Sequence, residues 1–205
     1  MTTAASSLED PAAQVIVERI GRDDMSLRAL ATLRMTVFRS WPYLYDGSID
    51  YEAGYIAEFL NDPEAVLIVA RVGHIPVGMA TASRLASQSD SVKAPFVAAG
   101  IDPGAYFYFG ESVLLPQFRG LGIGHRFFEE REAAARAAGA THSLFCAVAR
   151  PDDHPMKPKD ARDLSSFWQA RGYRLAPRFE IEMGWKEVGR PEEEPHRMRF
   201  WMRAL

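Results

Sequence analysis

Glycines at three alternating positions directly precede one of the strongest helix-forming stretches of the chain. Gly120, Gly122 and Gly124 follow Arg119, and an alanine- and glutamate-rich run continues until Gly139. The first turn of a helix carries unpaired backbone N–H groups and a partial positive charge, and glycine lets an anion approach those donors closely. The stretch therefore predicts a phosphate site at a helix N-terminus. The alternative is a tight strand-to-helix turn without a ligand.

Two common phosphate-binding motifs do not fit this loop. The Walker pattern ends in Gly-Lys followed by Ser or Thr, whereas His125 and Arg126 follow Gly124. The dinucleotide fingerprint requires G-x-G-x-x-G, and the third glycine here comes one residue too early. A nucleotide-dependent enzyme of either type is therefore not expected.

Composition favours one soluble domain among the 205 residues, of which 47% are hydrophobic. The net charge of −3 lacks the basic excess of nucleic-acid-binding proteins, and no apolar run of about 18 residues predicts a membrane span. The single cysteine, Cys146, excludes an intrachain disulfide and suits a reducing, cytoplasmic location. Residues 1–13 do not resemble a secretory signal and are expected to be a disordered lead-in to a domain spanning 14–205.

Hydrophobic periodicity predicts the element order β-α-α-β-β-β-α-β-α-β-β, with a further short helix near 91–99. A strand at Gln14–Ile20 precedes two helices, and a hairpin turns at Gly73. The polar segment Gly189–Pro195 is expected to join the two closing strands. Only the middle of the chain shows a strand–helix–strand crossover, so the pattern indicates one mixed sheet with helices on both faces.

Several of these residues match a known family. Arg119, Gly122 and Gly124 fill the signature Arg/Gln-x-x-Gly-x-Gly/Ala, and Leu114 and Pro116 occupy the positions of a Val-x-Pro. With its strand order and the segment FWQARGY, the chain resembles the GNAT superfamily of acetyl-CoA-dependent N-acetyltransferases. The resemblance implies a single α/β domain of the α+β type. Its central sheet would be mixed and mostly antiparallel, with about seven strands and helices on both faces.

The resemblance also implies where acetyl-CoA, the expected cosubstrate, would bind. The fourth and fifth strands would diverge and admit the pantetheine arm, and the loop amides would hold the pyrophosphate without a metal. The residues implied are Leu114, Leu115, Phe118, Arg119, Gly120, Leu121, Gly122, Ile123, Gly124 and His125.

Direct acetyl transfer needs a base for the amine, a polarised thioester carbonyl and help for the leaving thiolate. Glu111 is the first candidate for the base, because an acid in an apolar, aromatic strand is costly unless it is paired or lines a cleft. The alternative is a structural ion pair. Strand alternation puts Glu111 on the face opposite Tyr108 unless a bulge intervenes, so Tyr108 is the second candidate. Cys146 is expected in the core.

The acceptor side is expected in the loop between the first two helices. Related enzymes often cover the acceptor there, and aromatic rings with an acid suit a cationic amine. The candidates are Trp41, Tyr43, Tyr45 and Asp46; the alternative is a packed aromatic loop. Trp168 stands where many relatives have tyrosine, so the general acid is left open between Tyr173, another tyrosine and water.

These observations support two functions. The first is an N-acetyltransferase that moves an acetyl group directly from acetyl-CoA to a primary amine of a small molecule or peptide. The alternative is a non-catalytic acyl-CoA-binding sensor or interaction module on the same scaffold. The apolar C-terminal segment RMRFWMRAL suits either the core or a homodimer interface.

Overall fold

The computed structural model describes residues 15–21 and 23–205, so the predicted lead-in at 1–13 lies outside the described residues. Seven strands form one sheet in the order β1-β2-β3-β4-β5-β7-β6. The strands are β1 Val15–Ile20, β2 Val66–Val72, β3 Ile75–Arg84, β4 Tyr106–Leu114, β5 His142–Val148, β6 Arg174–Lys186 and β7 Glu193–Ala204. The α-helices are α1 Leu27–Phe38, α2 Ile49–Phe59, α3 Asp90–Ala98, α4 Ile123–Ala137 and α5 Ser165–Ala170.

The sheet is mixed and mostly antiparallel, which confirms the predicted fold class. β4 and β5 pair in parallel across the α4 crossover, and every other neighbouring pair of these strands is antiparallel. Helices α1, α2 and α3 cover one face of the sheet, and α4 and α5 cover the other. Side chains from both faces of the strands therefore enter helix-covered cores.

Local signals in the sequence account for the element boundaries. Ser26 caps α1, where its hydroxyl accepts a hydrogen bond from the Ala29 amide at 3.4 Å. Gly73 takes a φ of 57° between β2 and β3, as the predicted hairpin turn requires.

The closing hairpin is longer than predicted. Glu193, Glu194 and Pro195 were assigned to a polar connection, but they pair with β6, and Pro195 lies opposite Gly184. The β5 pairing of β7 begins only at Met198, so this end of β7 has β6 alone as its partner strand. A proline is tolerated there because its missing N–H removes no central ladder bond.

The C-terminal segment belongs to the interior of the sheet. β7 lies between β5 and β6, Phe200 is fully buried and Trp201 is 6% exposed. Of the two alternatives for this segment, the structure places it in the core.

Candidate active site

The predicted anion site is a left-handed glycine turn that starts α4. Gly120 and Gly122 have φ values of 81° and 79°, a region that disfavours side chains, and Gly122 is the N-cap of α4. The amides of His125 and Arg126 donate to the Gly122 carbonyl at 3.0 and 3.3 Å. The Ile123 and Gly124 amides precede these and have no acceptor within the described helix, as the first turn of any helix dictates.

Apolar side chains anchor the loop to the core beneath it. Ile123 is buried, and partly buried side chains join it against β2 and β3: Leu114, Leu115, Phe118 and Leu121. The Leu115 amide donates to the Val77 carbonyl at 2.9 Å, so the backbone N–H of Leu115 faces β3. By strand alternation the Leu114 backbone faces the opposite side, where Arg119 Nε donates to the Leu114 carbonyl at 3.2 Å. The His125 ring packs edge-on against Phe167.

β4 and β5 separate soon after they meet. They pair only from Tyr106 to Tyr108, opposite His142 to Leu144. β4 then continues to Leu114 and β5 to Val148 without pairing to each other. The two strands therefore leave an opening, which we call the strand split, and the glycine turn follows the β4 side of it.

A β-bulge lies in β4 at the strand split. Ala80 pairs with Ser112 and Ala82 with Phe109, so Thr81 alone lies opposite both Gly110 and Glu111. The Glu111 amide donates to Thr81 Oγ1 at 3.1 Å. A Cβ at position 110 would come within 2.5 Å of that oxygen, which explains the glycine.

The bulge corrects the expectation from plain alternation. Tyr108 packs in the core under α3, and Glu111 pairs with a side chain of α1, so both residues project from the α1–α3 face. The bulge absorbs one residue and brings Glu111 onto the Tyr108 face. From the other face, Arg131 Nη1 donates to the Glu111 carbonyl at 3.4 Å, and its guanidinium lies 4.5 Å from the Phe109 ring centroid.

The Glu111 side chain is largely buried but not isolated, because Arg34 of α1 pairs with its carboxylate. Arg34 Nε also donates to Glu52 Oε2 of α2 at 2.5 Å, and the Tyr45 hydroxyl donates to Glu52 Oε1 at 2.6 Å. The side chains of Arg34, Glu52 and Glu111 are 10%, 2% and 8% exposed. Burial alone would lower the pKa of Arg34, but Glu111, Tyr55 and Glu52 outweigh burial and raise it.

Tyr108 and Cys146 meet where the strand split begins. The Tyr108 hydroxyl lies 3.1 Å from Cys146 Sγ, and both residues are buried. Burial, followed by the neighbouring thiol, raises the pKa of Tyr108 well above its usual value, so the hydroxyl stays protonated at neutral pH. This state suits a hydrogen-bond donor rather than a base. Burial also raises the pKa of Cys146 to about 11, as expected for a core thiol.

The sequence matches the model of the acetyltransferase (GNAT) family over residues 29–157, which include the strand split, the bulge and the glycine turn. The chain belongs to the GNAT acetyltransferase family. It is therefore an acyltransferase by family.

Solved GNAT structures share this fold at low sequence identity. An acetyltransferase from Streptococcus agalactiae superposes with a TM-score of 0.61 at 14% identity, covering 94% of this chain and 99% of its own. A ribosomal-protein-alanine N-acetyltransferase from Brucella melitensis gives 0.60 at 13%, covering 93% and 99%. A GNAT family acetyltransferase from Elizabethkingia anophelis with acetyl-CoA bound gives 0.54 at 10%, covering 94% and 99%. No curated protein sequence matches the chain.

In this GNAT protein the aromatic loop between α1 and α2 is bound to the end of β6 and to the segment that follows β5. The Tyr43 carbonyl accepts from Trp185 Nε1 at 2.9 Å and from Arg150 Nη2 at 3.0 Å. The Tyr43 ring stacks at a tilt on Phe38 and Trp185, and the Trp41 ring lies 5.1 Å from the His154 ring. The loop is thus firmly packed, as the alternative interpretation expected. Through the hydrogen bond from Tyr45 to Glu52 it also contacts the charged side chains around Glu111.

Asp46 already has two cationic partners. Arg39 Nη1 lies 2.7 Å and Lys186 Nζ 3.1 Å from its carboxylate, and hydrogen bonds from these two cations lower the pKa of Asp46. The contacts fix the loop against α1 and β6.

Tyr173, one of the alternatives left open for the general acid, lies on the α4–α5 face, as does Trp168, which stands where many relatives have tyrosine. Trp168 packs on the α4–α5 face, 5.1 Å from both Phe145 and Trp201. The Tyr173 hydroxyl is buried on the same face, 2.8 Å from Ser143 Oγ, and its other neighbour is Glu132 at 3.3 Å.

Sequence reasoning missed Arg34 and Glu52, although a signal was present. Both are charged residues on the apolar stripe of their helix: Arg34 follows Leu30 and Leu33, and Glu52 lies between Ile49 and Ile56. A charge on the buried side of a helix needs a partner, and two such charges on adjacent helices suggest each other.

Two general properties hold for the residues that the structure describes. Among them, no group of three or more His, Cys, Asp or Glu side chains is arranged to hold a metal ion. None of the described helices is long and apolar enough to cross a membrane.

Proposed function

We propose that the protein transfers an acetyl group directly from acetyl-CoA to a primary amine of a small molecule or peptide. The observation that carries the proposal is the bulge in β4, because it turns the Glu111 carboxylate onto the face of Tyr108 beside the strand split. The candidate base therefore lies in β4 beside the opening that would admit the pantetheine arm. The loop that follows β4 leads to the N-terminus of α4, which would bind the pyrophosphate.

The glycine turn and the strand split suit coenzyme A. The Ile123 and Gly124 amides at the start of α4 are donors for a pyrophosphate, and glycine at 120 and 122 keeps side chains away from them. The Leu114 backbone faces the split and can pair with the amides of the pantetheine arm. When bound, acetyl-CoA would supply the activated acetyl group as a thioester.

The charges around Glu111 favour an amine as the acceptor. Two carboxylates, Glu52 and Glu111, share one guanidinium, that of Arg34, so the cluster carries one excess negative charge when all three are ionised. An ammonium group balances that charge. We assign Trp41, Tyr43, Tyr45 and Asp46 to the acceptor side, with Asp46 fixing the loop through its own ion pairs.

In the proposed reaction the ammonium group gives a proton to Glu111, directly or through one water, and its nitrogen forms a bond to the acetyl carbon. The bond from that carbon to sulfur breaks, the sulfur leaves with the electron pair, and the second proton that the nitrogen gives up protonates the thiolate, directly or through water. Tyr108 remains protonated and is our candidate hydrogen-bond donor within the split. A cytoplasmic location is part of the proposal, since the free, buried thiol of Cys146 suits a reducing compartment.

Glu111→Gln tests the assignment because it keeps the shape and removes the basicity. We expect turnover per folded molecule to fall by about 100-fold or more, the usual contribution of a general base, with coenzyme A affinity unchanged by calorimetry. Thiol release with a panel of amines gives the rate, and the melting temperature gives the stability. Loss of stability with unchanged turnover would show a structural ion pair instead. Coenzyme binding by the wild-type protein with no amine-dependent thiol release would favour the sensor.

A further inference from the structure

A continuous line of contacts joins the acceptor loop to the candidate base. The Tyr45 hydroxyl donates to Glu52, Arg34 Nε donates to the other oxygen of Glu52, and Arg34 Nη1 is paired with Glu111. Arg34, Tyr45 and Glu52 come from α1, the aromatic loop and α2, which follow one another in the sequence, whereas Glu111 comes from β4, well beyond them. The line therefore connects the proposed acceptor loop to β4 through the two helices that flank the loop.

Fold stability alone does not account for Arg34. The residue lies on the apolar side of α1, where leucine or methionine would fill similar space without the cost of removing a guanidinium from water. A buried ion-pair cluster that is replaced as a whole by apolar side chains often loses little stability, although the loss of one partner alone is destabilising. A buried cation at this position therefore calls for a role other than stability.

The contacts of Arg34 fix the direction of its guanidinium. Nε of the planar guanidinium donates to Glu52, and Nη1 forms an ion pair with Glu111, an arrangement that a single ammonium group does not match in geometry. The guanidinium carbon lies 4.6 Å from the Tyr55 ring centroid and 5.2 Å from that of Phe38, so aromatic faces also hold it. Because Glu52 and the two aromatic rings hold Arg34 in place, its ion pair gives the Glu111 carboxylate a fixed partner beside the strand split.

We infer that Arg34 is a positioning residue that holds the Glu111 carboxylate in its productive orientation, and that Glu52 and Tyr45 hold Arg34. The inference rests on the proposed function, because it needs Glu111 to act on the acceptor amine. It adds a physical link by which the acceptor loop and the base are aligned together.

A double-mutant cycle tests this coupling. The proteins are wild type, Arg34→Met, Glu111→Gln and the double variant, each measured for kcat per folded molecule, acceptor KM and coenzyme A affinity. We expect Arg34→Met to lower kcat by about 10- to 100-fold, since a misplacement of 1 Å can cost that much. In the Glu111→Gln background the same change should have little further effect, because the group that Arg34 positions is already inactive.

Two additional variants separate positioning from general damage. Arg34→Lys keeps the charge but not the planar guanidinium, so its kcat should lie between those of Arg34→Met and wild type. It replaces Arg34→Met in the cycle if that variant folds poorly. Arg28→Met is the matched control, because Arg28 pairs with Asp50 at 3.0 Å between the same two helices but at the exposed surface. This control should leave kcat unchanged.

Several outcomes would overturn the inference. Independent, multiplicative losses in the double variant, or an unchanged kcat per folded molecule in Arg34→Met, would reduce Arg34 to a structural ion pair. An active wild type with an unaffected Glu111→Gln variant would leave acetyl transfer standing and remove the positioning role. An inactive wild type with every amine tested would instead defeat the proposed function itself.

Discussion

Tyr108 and Cys146 show how burial sets the chemistry of single side chains here. Their hydroxyl and sulfur lie 3.1 Å apart beside the strand split, where a reactive thiol would compete with the acceptor for the acetyl group. Burial keeps the sulfur in its neutral form, since the pKa of Cys146 rises to about 11. A direct transfer that uses no enzyme thiol is compatible with that state.

The thiol of Cys146 should therefore resist alkylation in the folded protein. At pH 8 a group with a pKa of about 11 is only about 0.1% thiolate, whereas an ordinary cysteine is roughly 10–25% ionised. We expect iodoacetamide to label the native protein at least about 100-fold more slowly than the urea-unfolded protein, measured by mass spectrometry. Comparable labelling rates in the two states would contradict the buried, protonated thiol.

The elements of this fold differ in how far the sequence determines them. The glycine turn could be predicted because its signal is local, and the structure places Gly120 and Gly122 in left-handed backbone there. The bulge in β4 could not, since it depends on Thr81 of a neighbouring strand accepting the Glu111 amide thirty residues away. Of the two possibilities that the strand pattern leaves open, plain alternation is therefore wrong and the bulge is the one found. Glu111 itself could be singled out as the only acid in an apolar, aromatic strand.

Gly122→Ala tests the glycine turn, with Gly139→Ala as its control at the other end of α4. Gly122 and Gly139 have φ values of 79° and 72°, and an added Cβ at either would meet no atom of the described residues within 4 Å. Both changes should cost about 1–2 kcal/mol through left-handed strain and lower the melting temperature similarly. Only Gly122→Ala should also weaken coenzyme A binding, by roughly tenfold or more, or about 1.4 kcal/mol.

Calorimetry on the two variants decides the result. Equal coenzyme A affinities for Gly122→Ala and Gly139→Ala, with both proteins folded, would show that the turn serves only to start the helix.

The topology of the whole molecule could be predicted where periodic patterns are strong, as in the hairpin at Gly73 and the β4–α4–β5 crossover. The line from Tyr45 to Glu111 could not, because its ion pair between Arg34 and Glu111 joins α1 to β4 across 77 positions of the chain. Such a pair leaves only an indirect trace in one sequence, namely charged residues on otherwise apolar helix faces. The proposed catalytic face is thus a product of tertiary packing.

The same packing predicts how the molecule responds to alkali. Burial raises the pKa values of Tyr108, Tyr173 and Cys146 in the folded state, while the unfolded chain ionises near pH 9 for cysteine and pH 10 for tyrosine. Below pH 9 the native state keeps the full stability that these protonated groups contribute. As the pH rises, unfolding releases protons and stability falls by up to about 1.4 kcal/mol per pH unit for each group. The part of the tyrosinate absorbance that comes from Tyr108 and Tyr173 should therefore rise together with the loss of far-ultraviolet circular dichroism in one cooperative step. A smooth ionisation of all tyrosines near pH 10 with the dichroism intact would show that the core does not exclude the charged forms.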